Sequence, residues 1–147
     1  MKTLLASMTL LAIGVVQDAQ ADAPEELIIA RKASMEEQSA RLAAITQAIL
    51  VNADIAQFAS TGEEIAEWSK GIAAMFPDGT DGHGSDARPA VWSDRPGFEK
   101  AAANLEAAAE RMAKAAAGGD QSAFLRAYRG TMLACAACHF TYRTGRN

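Results

Sequence analysis

Several residue types are scarce in this sequence, and each shortage narrows what the chain can be. Among its 147 residues there are two cysteines, two histidines and four prolines, and aromatic residues make up 6%. No stretch beyond the N-terminal region is apolar enough to span a bilayer, and a formal net charge of −4 argues against nucleic-acid binding. The chain is instead rich in alanine and poor in β-branched residues, which favours an all-helical domain.

The N-terminal region has the pattern of a secretory signal peptide. Lys2 supplies a short positive region, an apolar run follows, and Ala19-Gln20-Ala21 forms a small-x-small cleavage site. The alternative is an uncleaved anchor, although the apolar run is too short to span a bilayer. Cleavage leaves about 126 residues, the size of one ordinary domain. The sequence thus predicts a cleaved signal peptide over residues 1–21 and one exported domain over residues 22–147.

Apolar residues at three- and four-residue spacing predict four helices in that domain. The first begins near Asp22 and reaches about Ile49, and the second runs from Ile55 to Met75. The third is capped by Ser93 or Asp94 and ends at Gly118-Gly119, and the fourth is capped by Asp120 and ends near Arg143. Because most connections are short, we expect an all-α, antiparallel four-helix bundle.

Two segments of this pattern interrupt the helices. Thr61-Gly62-Glu63-Glu64 resembles a capping box, which predicts a break inside the second helix. Residues 77–93 form a long connection rich in glycine and aspartate, and long connections are often functional. His83 in this loop is interpreted as an exposed histidine rather than as a metal ligand or pH sensor. We therefore assign no site to the loop.

The two cysteines lie three residues apart in Cys135-Ala136-Ala137-Cys138-His139, a spacing typical of covalent haem attachment. Two thiols one helical turn apart can each add to a vinyl group of a porphyrin, and His139 then binds the iron as its proximal ligand. A zinc site needs about four ligands, and the other histidine lies far away in the loop. A redox dithiol is expected at a strand-to-helix turn, which this sequence does not show. The motif therefore predicts one covalent haem c with its iron in an exported protein, in the periplasm of a bacterium.

The function depends on the residue that faces the other side of the iron. Met132 lies two turns before His139 on the same helix, so it is confined to the proximal side. Met75 and Met112 lie near the ends of their helices and are better interpreted as core filler.

Met35 lies inside the first helix, and Arg31 lies one turn before it on the same face. Met35 either ligates the iron or only covers the distal face as an apolar residue. Arg31 either pairs with a haem propionate or is an ordinary solvated charge.

Charge is distributed unevenly along the chain. No acidic residue follows Asp120, whereas the same segment contains four arginines, namely Arg126, Arg129, Arg143 and Arg146. Arg143 and Arg146, which lie near the C-terminal end of the fourth helix, suit the negative end of its dipole. They equally suit the steering of an acidic redox partner or a small anion towards the haem edge, and both interpretations stay open.

The chain resembles the class II c-type cytochromes, which comprise cytochrome c′ and its low-spin, methionine-ligated relatives. The resemblance covers essentially the whole mature chain. It rests on the haem motif near the C-terminus, continued as His139-Phe140-Thr141-Tyr142-Arg143, and on the segments 31–35, 76–80 and 88–92. It implies a four-helix bundle, often an antiparallel homodimer, in a bacterial periplasm. It also implies that Arg31 contacts a haem propionate, and Arg88 is a further candidate for that contact.

Within this family the position of Met35 separates two functions. A leucine or phenylalanine there leaves the iron five-coordinate and able to bind NO or CO, whereas in the low-spin relatives a methionine ligates the iron. Some five-coordinate members also carry methionine there, and Ala136 replaces a lysine that many cytochromes c′ have. We favour one-electron transfer with His139 and Met35 as axial ligands. The alternative is a five-coordinate cytochrome c′ that binds NO or CO for scavenging or sensing.

Catalysis is not expected from this sequence. A peroxidase needs a distal histidine or acid to cleave an O–O bond, and none is evident on the haem-facing side of the first helix. We therefore expect a protein that is not an enzyme and that works with redox partner proteins in the periplasm.

Overall fold

The computed structural model describes residues 22–82 and 84–145. The predicted signal peptide, His83 and Arg146 lie outside the described residues. The described part contains five helices: α1 (Asp22–Leu50), α2 (Ala59–Lys70), α3 (Ala90–Ser93), α4 (Arg95–Ala117) and α5 (Gln121–Tyr142). The predicted all-α four-helix bundle is confirmed, with α1, α2, α4 and α5 as its four helices and α3 as a single turn before α4.

The helix ends follow from capping residues that the sequence identified. The Asp94 carboxylate caps α4 by accepting a hydrogen bond from the backbone N of Gly97 at 3.2 Å, and the Asp120 carboxylate caps α5 through the backbone N of Ala123 at 2.9 Å. Gly119 has a φ of 68°, a left-handed conformation that lets the chain turn sharply from α4 into α5.

The second predicted helix is not a single helix. It is divided into a 3₁₀ turn at Ile55–Phe58, helix α2, and a second 3₁₀ turn at Ala73–Met75. The break predicted at Thr61–Glu64 is wrong, because α2 runs through that segment without interruption. Gly62 is present for a different reason: it lies so close to Ala113 of α4 that a side chain would overlap the backbone of that residue.

The core lies where α4 packs between α2 and α5. Five apolar residues of α4 at three- and four-residue spacing are buried, namely Phe98, Ala102, Leu105, Ala109 and Met112. The ring of Phe98 lies edge-on to Phe76, with centroids 5.0 Å apart, and edge-on to Tyr142 at 5.2 Å. These aromatic contacts close the core at the end of the bundle that carries Cys138.

Helix α1 approaches the other helices less closely than α4 approaches α2 and α5. Its C-terminal half is packed, since Leu42 and Ile45 belong to the buried core. The hydroxyl oxygens of Thr46 and Tyr128 also lie 2.6 Å apart, within hydrogen-bond distance. No described helix is both long and apolar enough to cross a membrane.

Candidate haem site

A cavity of about 440 Å³ separates the N-terminal half of α1 from the C-terminal end of α5. It combines residues from α1, from the connection before α4, from α4 itself and from α5. The lining residues are Arg31, Lys32, Met35, Glu36, Ser39, Phe76, Asp86, Ala87, Val91, Phe98, Cys138, His139, Tyr142 and Arg143. The predicted proximal and distal residues, His139 and Met35, thus share one cavity although they are 104 positions apart in the sequence.

The haem-attachment motif lies in the last turns of α5. Cys135 and Cys138 are half-buried against the core. Desolvation raises the pKa of both free thiols, to about 11 for Cys138. The His139 side chain is exposed. Partial desolvation by the cavity wall and the charge of Arg143 lower its pKa, which favours the neutral imidazole that binds a metal.

Met35 contributes the facing wall from α1, and its side chain is half-buried. The other methionines lie elsewhere. Met112 is fully buried in the core, the sulfur of Met75 accepts a hydrogen bond from the Ser34 hydroxyl at 3.5 Å, and Met132 is 44% exposed on α5. Among the described methionines, Met35 is the one that lines the cavity.

Arg31 is only 3% exposed, although it lines the cavity. Its guanidinium lies 4.4 Å above the ring centroid of Phe76. It donates hydrogen bonds to the Thr80 hydroxyl at 2.9 Å, the Thr80 carbonyl at 2.7 Å and the Ser85 hydroxyl at 2.5 Å. A guanidinium has five N–H donors, so these bonds leave two for another acceptor. Desolvation lowers the pKa of Arg31, and the nearby Asp86 carboxylate opposes that effect.

The other predicted propionate contact, Arg88, is exposed and lies outside the cavity wall. Its backbone N donates to the carbonyl of Tyr142 at 2.9 Å. This bond fixes the connection before α4 to the end of α5.

Sequence reasoning missed a charged group at the cavity wall. The Asp86 carboxylate lies 3.5 Å from the ammonium of Lys32 and 3.6 Å from the guanidinium of Arg143. Residue 86 thereby links α1 to the end of α5. No periodic pattern identifies such a residue, because it belongs to an irregular connection whose path depends on both helices.

The expectation that no acid lies on the haem-facing side of the first helix is wrong. Glu36, which follows Met35 directly, lines the cavity with its exposed side chain. Glu36 lies outside the apolar stripe of α1, whose residues recur at three- and four-residue spacing. The cavity wall wraps further round α1 than the apolar stripe does, and so it includes Glu36.

These residues fit a haem. The walls carry apolar and aromatic side chains, Met35, Phe76, Val91 and Phe98, which suit the faces of a flat apolar ring. Three cationic side chains, those of Arg31, Lys32 and Arg143, also line the cavity, and they suit a ring that bears two carboxylates. A cavity of about 440 Å³ lies within the range of small-molecule and cofactor sites, about 300–1,000 Å³.

Comparison with protein families gives one match over most of the chain. The family model for cytochrome c′ matches residues 26–143. Cytochrome c′ of Rhodospirillum rubrum is 32% identical over 150 residues, covering 97% of this chain and 99% of the relative. That of Rubrivivax gelatinosus is 39% identical over 80 residues, covering 54% of this chain and 62% of the relative. Cytochrome c-554 of Cereibacter sphaeroides is 38% identical over 72 residues, covering 47% and 46% of the two chains.

Solved structures agree with this match. Cytochrome c′ from Thermochromatium tepidum has a TM-score of 0.76 and 28% identity, covering 83% of this chain and 97% of that one. The nitric oxide complex of a leucine-to-alanine variant of cytochrome c′ from Alcaligenes xylosoxidans has a TM-score of 0.75 and 27% identity, covering 84% and 97%. A third, a cytochrome c′ with ligand-controlled dimer dissociation, has a TM-score of 0.77 and 28% identity, covering 83% and 97%.

The C-terminal haem motif, the cavity between α1 and α5 and these matches agree with one another. The chain belongs to the cytochrome c′ family and binds one covalent haem c with its iron.

Proposed function

We propose that this protein binds NO or CO at a haem held by Cys135, Cys138 and His139, on the side that faces Met35. The observation that carries the proposal is the cavity in which His139 of α5 and Met35 of α1 lie on separate walls. When bound, the haem would supply an iron atom that can take a diatomic ligand. One of the similar solved structures is a nitric oxide complex, so the comparisons support gas binding better than the electron transfer that the sequence favoured.

The residues of the chain perform distinct tasks in this proposal. The imidazole of His139, which lines the cavity from α5, would hold the iron. The apolar side chains of Phe76, Val91 and Phe98 keep water away from the ring. Met35 determines how much room a ligand finds on its side, since its half-buried side chain lines the facing wall.

The second candidate function is one-electron transfer with the Met35 sulfur as the distal ligand. A thioether is a competent ligand for haem iron and raises its reduction potential. A catalytic role is less well supported, because Asp86 is paired with Lys32 and Arg143 and Glu36 is exposed. We therefore propose a binding protein or an electron carrier rather than an enzyme.

One experiment separates the two functions: the visible spectrum of the ferrous protein before and after addition of CO. Gas binding predicts a broad high-spin spectrum that shifts with CO, and Met35→Ala should then raise the CO affinity. If relieving crowding gains about 1–3 kcal/mol, the increase is about 5- to 150-fold. Met132→Leu is the matched control, because it changes a methionine outside the cavity and should leave both spectrum and affinity unchanged.

Electron transfer predicts the opposite result. The ferrous protein would show a sharp low-spin spectrum that CO does not alter, and Met35→Leu would convert it into a high-spin form that binds CO. That pair of results would refute gas binding as the native function. A wild-type high-spin spectrum that Met35→Leu leaves unchanged would exclude the sulfur as an iron ligand.

The location, processing and assembly of the protein are parts of the same proposal. We propose cleavage before Asp22 and export to the periplasm, so the mass of the protein from a periplasmic extract should equal residues 22–147 plus one haem. We also propose a homodimer, which light scattering of the purified protein should detect as twice that mass. Arg31 and Arg88 stay proposed propionate contacts, and substitution by glutamine should raise the propionate pKa at whichever residue makes the contact.

A further inference from the structure

One face of α5 points away from the cavity and carries both apolar and basic side chains. We call it the outer face of α5. All its residues are exposed, and they follow one another at helical spacing: Arg126, Arg129, Leu133, Ala136, Ala137 and Phe140. Leu133 is 69% and Phe140 is 82% exposed. None of these residues lines the haem cavity, so the haem does not cover them there.

The opposite side of the same helix carries the haem-attachment residues. Cys135 and Cys138 pack against the core, and Thr131 and Tyr142 on that side are buried. The outer face is therefore separated from the haem-attachment side only by the width of α5, about 10–12 Å including side chains.

The charge of this face differs from that of the rest of the protein. All 18 acidic residues lie at or before Asp120, and α5 contains none. Among the ion pairs of the described residues, none involves Arg126 or Arg129. An acidic protein thus presents two unpaired cations on the same helix face as an exposed aromatic ring, which lies about 16–21 Å further along the helix that holds its haem. Arginine and aromatic residues are enriched at protein interfaces.

We propose that the outer face of α5 docks a one-electron donor protein whose own surface has an acidic region next to an apolar patch. The donor loses one electron and the haem iron passes from ferric to ferrous, while no bond forms or breaks. The inference depends on the haem but not on which proposed function is correct. An electron carrier is reduced by a partner in each cycle, and a protein that binds CO needs ferrous iron.

The size of the face favours a transient partner over a permanent second copy of the chain. From Arg126 to Phe140 the helix is about 21 Å long, and a strip one helix wide is much smaller than the roughly 800 Å² per partner of a stable interface. Weak redox encounters have smaller interfaces, and complementary charge speeds their formation. Leu133 and Phe140 provide the apolar part of the face, and Arg126 and Arg129, at its N-terminal end, attract an acidic region of the partner.

The test uses the purified haem protein and reduced plant-type [2Fe–2S] ferredoxin as an acidic donor probe. Stopped-flow spectroscopy follows reduction of the haem between about 10 and about 200 mM salt. The second-order rate constant should fall at least about tenfold over that range. The double variant Arg126→Gln/Arg129→Gln should lower the low-salt rate about fivefold or more and weaken its salt dependence. Phe140→Ser should lower the rate several-fold at every salt concentration.

Two matched controls keep the proposal open to refutation. Arg111→Gln/Lys114→Gln removes two exposed charges from α4, and Val51→Ser removes an apolar side chain that is 75% exposed at the far end of α1. Both should stay within about twofold of the wild-type rate. Reduction by dithionite should be unchanged in every variant, since this small reductant does not need the docking surface.

Three outcomes would overturn the proposal. Control variants that slow reduction by ferredoxin as much as the α5 variants do would indicate an effect of net charge. Calorimetric titration with oxidised ferredoxin should detect binding at low salt, and equal affinities for wild type and the α5 variants would exclude the face as the docking site. The third outcome is that the wild type self-associates or sediments with anionic vesicles and that the α5 variants do not. The face would then bind a second copy of the chain or a membrane rather than a donor protein.

Discussion

The contact between α2 and α4 makes a sharp prediction about stability. A Cβ atom added to Gly62 would lie 2.7 Å from the backbone N of Ala113 and 2.8 Å from its Cα and Cβ atoms. Because these atoms belong to a helix backbone or are attached directly to it, no change of rotamer can move them away. The Gly62→Ala substitution therefore forces the two helices apart at their closest approach.

Two opposing effects determine the result. In a helix interior alanine is favoured over glycine by about 0.8–1 kcal/mol, so propensity alone predicts a more stable protein. Overpacking of a well-packed core typically costs about 1–3 kcal/mol. Its cost here should lie in the upper part of that range, since a shift of α2 also loosens the buried neighbours Ile65 and Ala66. We expect Gly62→Ala to lower the free energy of unfolding by about 1–2 kcal/mol.

Gly130→Ala is the matched control. Gly130 also lies inside a helix, and a Cβ atom there would have no neighbour within 4 Å. This variant should gain stability, by up to about 1 kcal/mol, because only the propensity term remains. Urea or thermal unfolding of the haem-loaded variants measures both, and about 1 kcal/mol corresponds to a Tm shift of roughly 3–5 °C for a domain of this size. If Gly62→Ala proves as stable as Gly130→Ala, the close approach of α2 and α4 is wrong.

Two further predictions concern hydrogen bonds at the same end of the bundle. The Tyr142 hydroxyl donates to the Asp94 carboxylate at 2.8 Å, and desolvation together with this bond raises the Tyr142 pKa above its ordinary value of 10.0. The contribution of Tyr142 to the free energy of unfolding is therefore fully present below the ordinary tyrosine pKa, and it is lost as the pH rises through the raised pKa. Unfolding measured at several pH values should show this loss in the wild type and not in Tyr142→Phe. Arg31→Lys should lower the free energy of unfolding by about 2–3 kcal/mol, because an ammonium cannot replace all the hydrogen bonds of the guanidinium to Thr80 and Ser85. Arg41→Lys, which alters the surface ion pairs of Arg41 with Glu37 and Glu64, should change it by less than about 1 kcal/mol, and equal losses would contradict the role assigned to Arg31.

The predictable parts of this protein are those that depend on local sequence. The helix caps Asp94 and Asp120 and the apolar stripe of α4 follow from side chains within a few positions of one another. The attachment of haem follows from the spacing of Cys135, Cys138 and His139. The position of Met35 opposite the motif is an expectation of the same kind, since it needs only the helical repeat and the order of the helices.

The less predictable parts depend on partners far away in the sequence. Gly62 is required by a crossing with α4, and no pattern within α2 indicates where that crossing lies. Arg31 binds residues 49 and 54 positions later, in a connection without periodicity. Glu36 faces the cavity because the wall is curved, not because of its place in the apolar stripe. These are packing relations, and a single sequence does not record them.

The attachment of α1 has a consequence for the iron. The helix is held at two points about 21 Å apart. Arg31 donates a hydrogen bond to the carbonyl of Thr80 in the loop, and Ile45 is buried in the core. Met35 lies between these two attachments. The helix is therefore restrained on both sides of Met35 and cannot swing away from the cavity about one end. The distance between Met35 and the haem then depends on the two attachments of α1. A substitution at Thr80 or Ser85, which do not line the cavity, should change how tightly a gas molecule is held.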